Sequence, residues 1–359
     1  MRIINIMLEP ELSSSSLVML DYLEGLSKIG HQVSVITSPQ AAINSSLSYI
    51  KNISHLILRQ SAICKKLKIT DPFLPRRLQS ACRLLRAEII IVHGAESLGI
   101  SQRTFKNIPL ILVAHAPNLP DLTNVKAIFV STRALLSKIL NEKNIADKIP
   151  PEQVFFSPRM VSMHGGFVRA SRRTTPIIGA VFPAQKDAKE EDTRDDEEEF
   201  IRALGFLRDK GLQFQILIAS QDSNRMRRMA RPFHLEENII WEDKLTNFNE
   251  FFDKIDLLCL CGSFGGSGVV LLEAMAEKLP ILAVGGETID DFARHGENCL
   301  RLGYMEATAL ADALTWLLEN ETKARDMGKE AHNFVRNNFE MKLQSQQITK
   351  ILEQFAIKQ

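Results

Sequence analysis

The chain has 359 residues, 45% of them apolar and 24% charged, with a formal net charge of +1. That length is long for one core and comfortable for two units of roughly 150 to 200 residues each. The near-neutral balance gives no support to nucleic-acid binding, and no apolar run approaches the roughly 18 residues a membrane-spanning helix needs.

Residues 2–8 read as a buried strand rather than a signal peptide, because Glu9 and Glu11 follow the apolar run at once. Residues 15–29 read as a helix, with serines at 13–16 offering N-caps and Gly30 a stop. Strands are expected at 32–37, 88–93, 110–114, 126–130 and 153–156, a βαβ rhythm that implies a parallel sheet covered by helices. The segment 157–175 holds Pro158, Gly165 and Gly166 and reads as a joint. The rhythm then restarts. Strands are expected at 177–182, 213–219, 238–241, 257–261, 280–284 and 299–302, and helices at 195–209, 225–231, 248–254, 268–277 and 306–319. The expected division is 1–165, 166–338 and 339–359, the last a helix crossing back to the first domain.

The cysteines are Cys64, Cys82, Cys259, Cys261 and Cys299, an odd number with no metal-ligand spacing. A reduced, cytosolic setting is the simplest reading. Cys259 and Cys261 sit in an apolar run and read as core residues of a strand.

Two stretches are charge-biased. Residues 186–199 carry nine acids and three basic residues, which reads as a solvated surface loop leading into a helix start. Residues 51–86 carry nine Lys or Arg and one acid, Asp71, interleaved with apolar residues. That is a basic amphipathic surface for an anionic membrane or acceptor, or else a pair of ordinary amphipathic helices.

The run 261–276 (CGSFGGSGVVLLEAMA) follows one expected strand and opens a helix near Gly268. Free amides at a helix amino terminus favour an anion such as a diphosphate, and glycine lets the backbone approach it closely. Glu273 interrupts the apolar helix, and a carboxylate there can accept both hydrogens of a ribose diol. A glycine-rich turn before a helix with a structurally paired glutamate has the same spacing. His115 and His93 each end an expected strand. At His115 the functional reading is favoured; at His93 the favoured reading is an ordinary strand-end residue.

The stretch Gly268 to Ala276, with Leu279-Pro280-Ile281-Leu282-Ala283 and Gly285-Gly286 after it, resembles the signature of the retaining GT-B glycosyltransferases of family 4 (group 1). So do His295-Gly296-Glu297-Asn298 and the tail 309–335 with Met327-Gly328. Gly30-His31-Gln32-Val33 resembles the family's turn after the first helix. The resemblance implies an α/β GT-B fold of two Rossmann-like doubly wound domains facing a cleft. The first would bind an acceptor, glycan or lipid-linked, and the second a nucleotide sugar. Glu273 matches the second glutamate of the family's Glu-x7-Glu motif, which holds the ribose. The Gly268 and Val269 amides match those facing the diphosphate, beside Gly265, Gly266 and Ser267. His115 matches the cleft histidine near the transferred sugar.

This sequence departs from the pattern at several places. Gly265 stands where the first motif glutamate is expected, and Pro183 where an arginine is expected, leaving Lys186 or Lys189 to meet the leaving diphosphate. After Gly285-Gly286 the expected carboxylate is shifted to Glu287, Asp290 or Asp291. No Asp-x-Asp constellation is present, so neither a metal nor a cofactor beyond the donor substrate is expected. The implied location is cytoplasmic, peripheral on the inner face of the membrane. The rival reading is a catalytically inactive GT-B protein that binds a nucleotide sugar or a partner. A third is an epimerase or phosphorylase on the same fold.

Overall fold

The computed structural model describes all residues except 10–13, 60–70, 117–118, 120, 164–173, 183–189, 220–222, 243–247, 262–267, 286–288 and 358–359. The chain divides into two compact units, Met1–Met160 with Phe339–Gln359, and Val161–Asn338.

The first unit is built on a parallel sheet of β1 (Arg2–Met7), β2 (Gln32–Thr37), β3 (Ile53–Ile57), β4 (Ile89–His93), β5 (Leu110–Ala114), β6 (Val125–Val130) and β7 (Val154–Phe156), in the order β3-β2-β1-β4-β5-β6-β7. Its central strands are apolar at nearly every position because both faces are covered. Period-two alternation divides them: Ile4, Ile6, Ile90, Val92, Leu110 and Leu112 enter one core, and Ile3, Met7, Ile89, Ile91, Ile111 and Val113 the other. The second core is closed by α1 (Ser14–Lys28), whose Val18, Met19, Tyr22, Leu23 and Leu26 recur at helical spacing. On the other face lie α2 (Leu74–Leu84) and α3 (Ala95–Thr104); α4 (Arg133–Leu140) follows β6.

Residues 60–70 of the basic stretch lie outside the described residues. Its first part forms β3, the edge strand, and only α2 is helical among its described residues. The β-branched Ile53 and Ile57 pair with Val33 and Thr37 of β2, a non-local pairing that suits an edge strand.

The second unit repeats the plan. Strands β8 (Ile177–Val181), β9 (Gln215–Ala219), β10 (Ile239–Glu242), β11 (Leu257–Leu260), β12 (Ile281–Val284) and β13 (Leu300–Leu302) lie in the order β10-β9-β8-β11-β12-β13. Between them run α5 (Glu190–Asp209), α6 (Ser223–Ala230), α7 (Phe248–Lys254) and α8 (Val269–Ala276), with α9 (Ala307–Glu319) and α10 (Glu321–Asn338) after β13. Most of the acidic run is thus the opening of α5 and not a loop. Phe200, Ile201, Leu204 and Leu207 anchor its later turns in the core. Cys259 is buried on β11 and Cys261 just after it, with their sulfurs 3.4 Å apart, and burial pushes the Cys261 thiol well above its ordinary range.

The last helix, α11 (Met341–Phe355), packs on α1 within the first unit. At Gly25 of α1 a Cβ would fall 2.2 Å from Ser345 Oγ, so the helices meet at a glycine contact. His31 Nε2 lies 2.8 Å from Thr349 Oγ1, which gives the Gly30-His31-Gln32-Val33 turn a structural duty as the seat of α11. Beside it, Asp21 and Arg159 form a buried ion pair at 2.6 Å, and Asp21 Oδ2 also accepts from the Met160 amide at 3.0 Å. Burial pushes the Asp21 carboxyl up to about 6 against the pull of Arg159.

Candidate functional site

In both sheets the strand order reverses between the first strand and the fourth, at β1/β4 and at β8/β11. Open α/β sheets bind ligands outside the carboxyl ends of the strands at such a switch point. In the second unit α8 follows β11 at its switch point; in the first, His93 ends β4 and His115 follows β5, the next strand over.

In the second unit, α8 begins one residue after Gly268, which has φ of 65° and ψ of 26°. A Cβ at this position would also stand 2.7 Å from the Phe292 ring. Only glycine satisfies both demands. Phe292 is held by the His295-Gly296-Glu297-Asn298 turn. The buried Asn298 donates from Nδ2 to the Phe292 carbonyl at 2.9 Å, and its Oδ1 accepts from the Arg294 amide at 2.8 Å. His295 Nδ1 accepts from the Arg301 amide at 3.0 Å. This signature therefore acts as a brace under the start of α8. Of the carboxylates near it, Asp290 is ion-paired with Arg301.

Six of the eight α8 residues are buried; Val269 and Glu273 are the half-buried pair. Four residues apart, they share one face, with Val269 at the amino terminus and Glu273 one turn on. The helix thus places its amino-terminal amides and the Glu273 carboxylate on the same side, the pattern that fits a phosphate and a diol. Gly265, Gly266, Ser267, Lys186, Lys189 and Pro183 lie outside the described residues.

In the first unit, Gly94 (φ 93°) ends β4 and opens α3. The amino terminus of α3 is filled by the chain's own Glu9. Its carboxylate accepts from the amides of Glu96 at 3.1 Å and Ser97 at 3.3 Å, and from Ser97 Oγ at 2.6 Å. A Cβ at Gly94 would fall 2.0 Å from Glu9 Oε1.

His115 follows β5 directly, and burial pushes its imidazole down to about 4, so it is neutral at pH 7. Among the described residues no group meets its buried Nε2. His93, at the end of β4, is fully buried and held well below its ordinary range by burial, then by the charge of His115. Its Nε2 lies 3.1 Å from Asn5 Oδ1 across the β1/β4 switch. Sequence reasoning ranked His93 low and did not select Asn5, since nothing local says that β1 and β4 are neighbours.

Among the described residues no three His, Cys, Asp or Glu side chains are grouped to hold a metal ion, and no helix is long and apolar enough to cross a membrane.

Comparison with known proteins places this architecture. Residues 196–334 match the family described as Glycosyl transferases group 1. A curated relative, N-acetyl-alpha-D-glucosaminyl L-malate synthase of Bacillus anthracis, is 29% identical over 111 residues, 31% of this chain and 29% of that protein. That match spans less than a third of the relative's length. A glycosyltransferase from Rickettsia africae superimposes with a TM-score of 0.77 at 15% identity, covering 98% of each chain. Anabaena HepE, solved with UDP and glucose, superimposes with a TM-score of 0.73 at 14% identity, covering 98% of this chain and 99% of that one. The chain has the GT-B fold, and residues 196–334 match the group 1 glycosyl transferases, as the resemblance implied.

Proposed function

We propose that this GT-B chain transfers a sugar from a nucleotide diphosphate sugar to a glycan or lipid-linked acceptor, with retention of anomeric configuration and without a divalent metal. The observation that carries the reading is the shared face of Val269 and Glu273 at the amino end of α8, beside the β8/β11 switch point. In this reading the Gly268 and Val269 amides meet the diphosphate, with Gly265, Gly266 and Ser267 alongside. Glu273 accepts from the ribose hydroxyls. Lys186 or Lys189 offsets the charge that develops on the departing diphosphate. His115, neutral, contacts the transferred sugar. HepE was solved with UDP and glucose on the same fold, which supports a nucleotide sugar as donor.

The test is a thermal-shift panel of nucleotides and nucleotide sugars, followed by turnover with candidate acceptors. A ligand at 100 times its Kd raises the folded state's stability by about 2.7 kcal/mol. A shift with a nucleoside diphosphate, and its release from the sugar donor on adding acceptor, is the expected result. A shift without turnover favours the inactive binder, which Gly265 and Pro183 at the departures motivate. No shift with any nucleotide sinks both readings.

The acceptor reading extends to a membrane. Tyr49, Ile57, Phe73 and Leu84 are exposed, by 86%, 44%, 55% and 78%, within or beside the basic stretch. Lys51, Arg59, Arg76, Arg77, Arg83 and Arg86 are exposed with them. Apolar side chains among cations suit an anionic lipid surface, at about 1 kcal/mol per basic residue near it. The expected result is co-sedimentation with phosphatidylglycerol vesicles that weakens with salt and is absent for phosphatidylcholine. Binding indifferent to lipid charge and salt would remove the membrane from the proposal, and with it the peripheral cytoplasmic location.

A further inference from the structure

The two units repeat one plan, and the helix after the fourth strand stands in the same place in each: α3 after β4, and α8 after β11, both beside the switch point. Both helices open on a glycine with positive φ, Gly94 at 93° and Gly268 at 65°. Such a terminus favours an anion, so the doubled plan offers two seats and not one. The first seat is already taken. Glu9 follows β1, the strand on the other side of the switch, and lays its carboxylate over the start of α3. Oε1 accepts from the Glu96 and Ser97 amides at 3.1 and 3.3 Å. Oε2 accepts from Ser97 Oγ at 2.6 Å and from the Leu8 amide at 3.1 Å. The Leu8 amide also donates to Ser97 Oγ at 2.8 Å, which ties the seat to the end of β1. Ser97 is fully buried, and a Cβ at Gly94 would fall 2.0 Å from Oε1, so the backbone is shaped around this carboxylate.

We propose that Glu9 is a specificity-determining residue: it fills the anion seat of the first unit with the chain's own carboxylate, so that phosphate is refused there and the donor's diphosphate is confined to the second unit. For the donor, this rests on the transferase reading above. Each Glu9 oxygen is met by two donors, which leaves none over for an incoming anion. The charge balance acts in the same direction. A helix amino terminus is worth roughly +0.5 charge, and one carboxylate more than cancels it. Glu96 adds a second carboxyl beside the first, pushed up by partial burial and then by the charge of Glu9. What the first unit takes at its switch point is therefore an uncharged group, as a hydroxyl-bearing acceptor presents.

The test uses the full-length 15N-labelled chain and follows the Glu96 and Ser97 amide signals during titration with acetate and with inorganic phosphate. In the wild type neither anion moves them. In Glu9→Ala both signals move and saturate, first with acetate, which has the atoms the variant has lost. The gain in anion affinity at these amides is about 10- to 150-fold, the span of one hydrogen bond to a charged group. Glu9→Gln, which keeps the seat filled, stays unresponsive. Calorimetry with a nucleoside diphosphate shows one site in the wild type and a second, weaker site in Glu9→Ala, a change that a merely structural cap would not produce. Should Glu9→Ala be too unstable for these titrations, an acetate-dependent rise in its melting temperature, absent from the wild type and from Glu9→Gln, reads the same seat.

Wild-type Glu96 and Ser97 signals that move with phosphate overturn the proposal, because Glu9 then yields its place. So does a Glu9→Ala chain that melts lower yet answers to neither anion and gains no second nucleotide site. A gain of acetate and phosphate binding in Glu9→Ala, on a wild type that binds no nucleotide, upholds the block by Glu9 and defeats the transferase reading instead.

Discussion

Glu273→Ala is expected to weaken nucleoside diphosphate binding about 10- to 150-fold, the equivalent of the 1.5–3 kcal/mol typical of hydrogen bonds to a charged group. The residue sits one turn into α8, half-buried, on the face it shares with Val269. Its helix neighbours Leu272, Ala274 and Met275 are all buried, so they orient the helix and leave Glu273 on the outward side. Glu273→Gln retains one carbonyl oxygen and should lose less than the alanine variant. Titration calorimetry with a nucleoside diphosphate and with the free nucleoside separates the contributions. A ribose contact predicts a similar fold-loss for both ligands, whereas a contact with the phosphates predicts a loss for the diphosphate alone. Alanine at this position with unchanged affinity and a lowered melting temperature would make Glu273 a structural residue and remove the ribose assignment.

Gly328→Ala is expected to cost roughly 1–3 kcal/mol or more in the second unit, as overpacking of a tight contact does. A Cβ at this position would fall 2.3 Å from the Lys278 carbonyl oxygen and 3.1 Å from the Leu279 carbonyl carbon. Both obstacles are backbone, and neither can swing aside. The turn they belong to is itself constrained, with Lys278 at φ 59° and the Leu279 amide donating to the Ala274 carbonyl at 3.2 Å. One turn along α10, His332 Nδ1 lies 2.6 Å from the Ala276 carbonyl and supports the carboxyl end of α8. Misplacing α10 would therefore reach α8 from its carboxyl end. Thermal unfolding should show a drop of about 2–4 °C per kcal/mol for a unit of this size. Gly303→Ala is the control, since nothing lies within 4 Å of the added methyl. Equal melting temperatures for the two variants would show that the α10 contact relaxes freely.

These two glycine and glutamate positions show how the site was and was not legible. The 268–276 stretch was readable because its demands are local. A glycine before a helix, apolar residues at helical spacing and one interrupting glutamate are visible within ten residues. The Met327-Gly328 pair and the His295 to Asn298 turn were visible only as family pattern. Their physical duties, a backbone contact with Lys278 and a brace for Phe292 beneath Gly268, involve partners distant in sequence. In the basic stretch the same limit applies, because β3 pairs only with β2 at the sheet edge and its own residues do not record that partner.

The sequence by itself determined the parallel α/β class, the doubled plan and the helix that offers Gly268, Val269 and Glu273, because apolar periodicity and helix-terminus chemistry act over short spans. Only the tertiary structure decided the strand orders, and with them both switch points. Strand order depends on which faces and edges meet across long loops, and no local pattern records it. That is why Glu9 on the amino terminus of α3, and Asn5 against His93, came to light only with the fold.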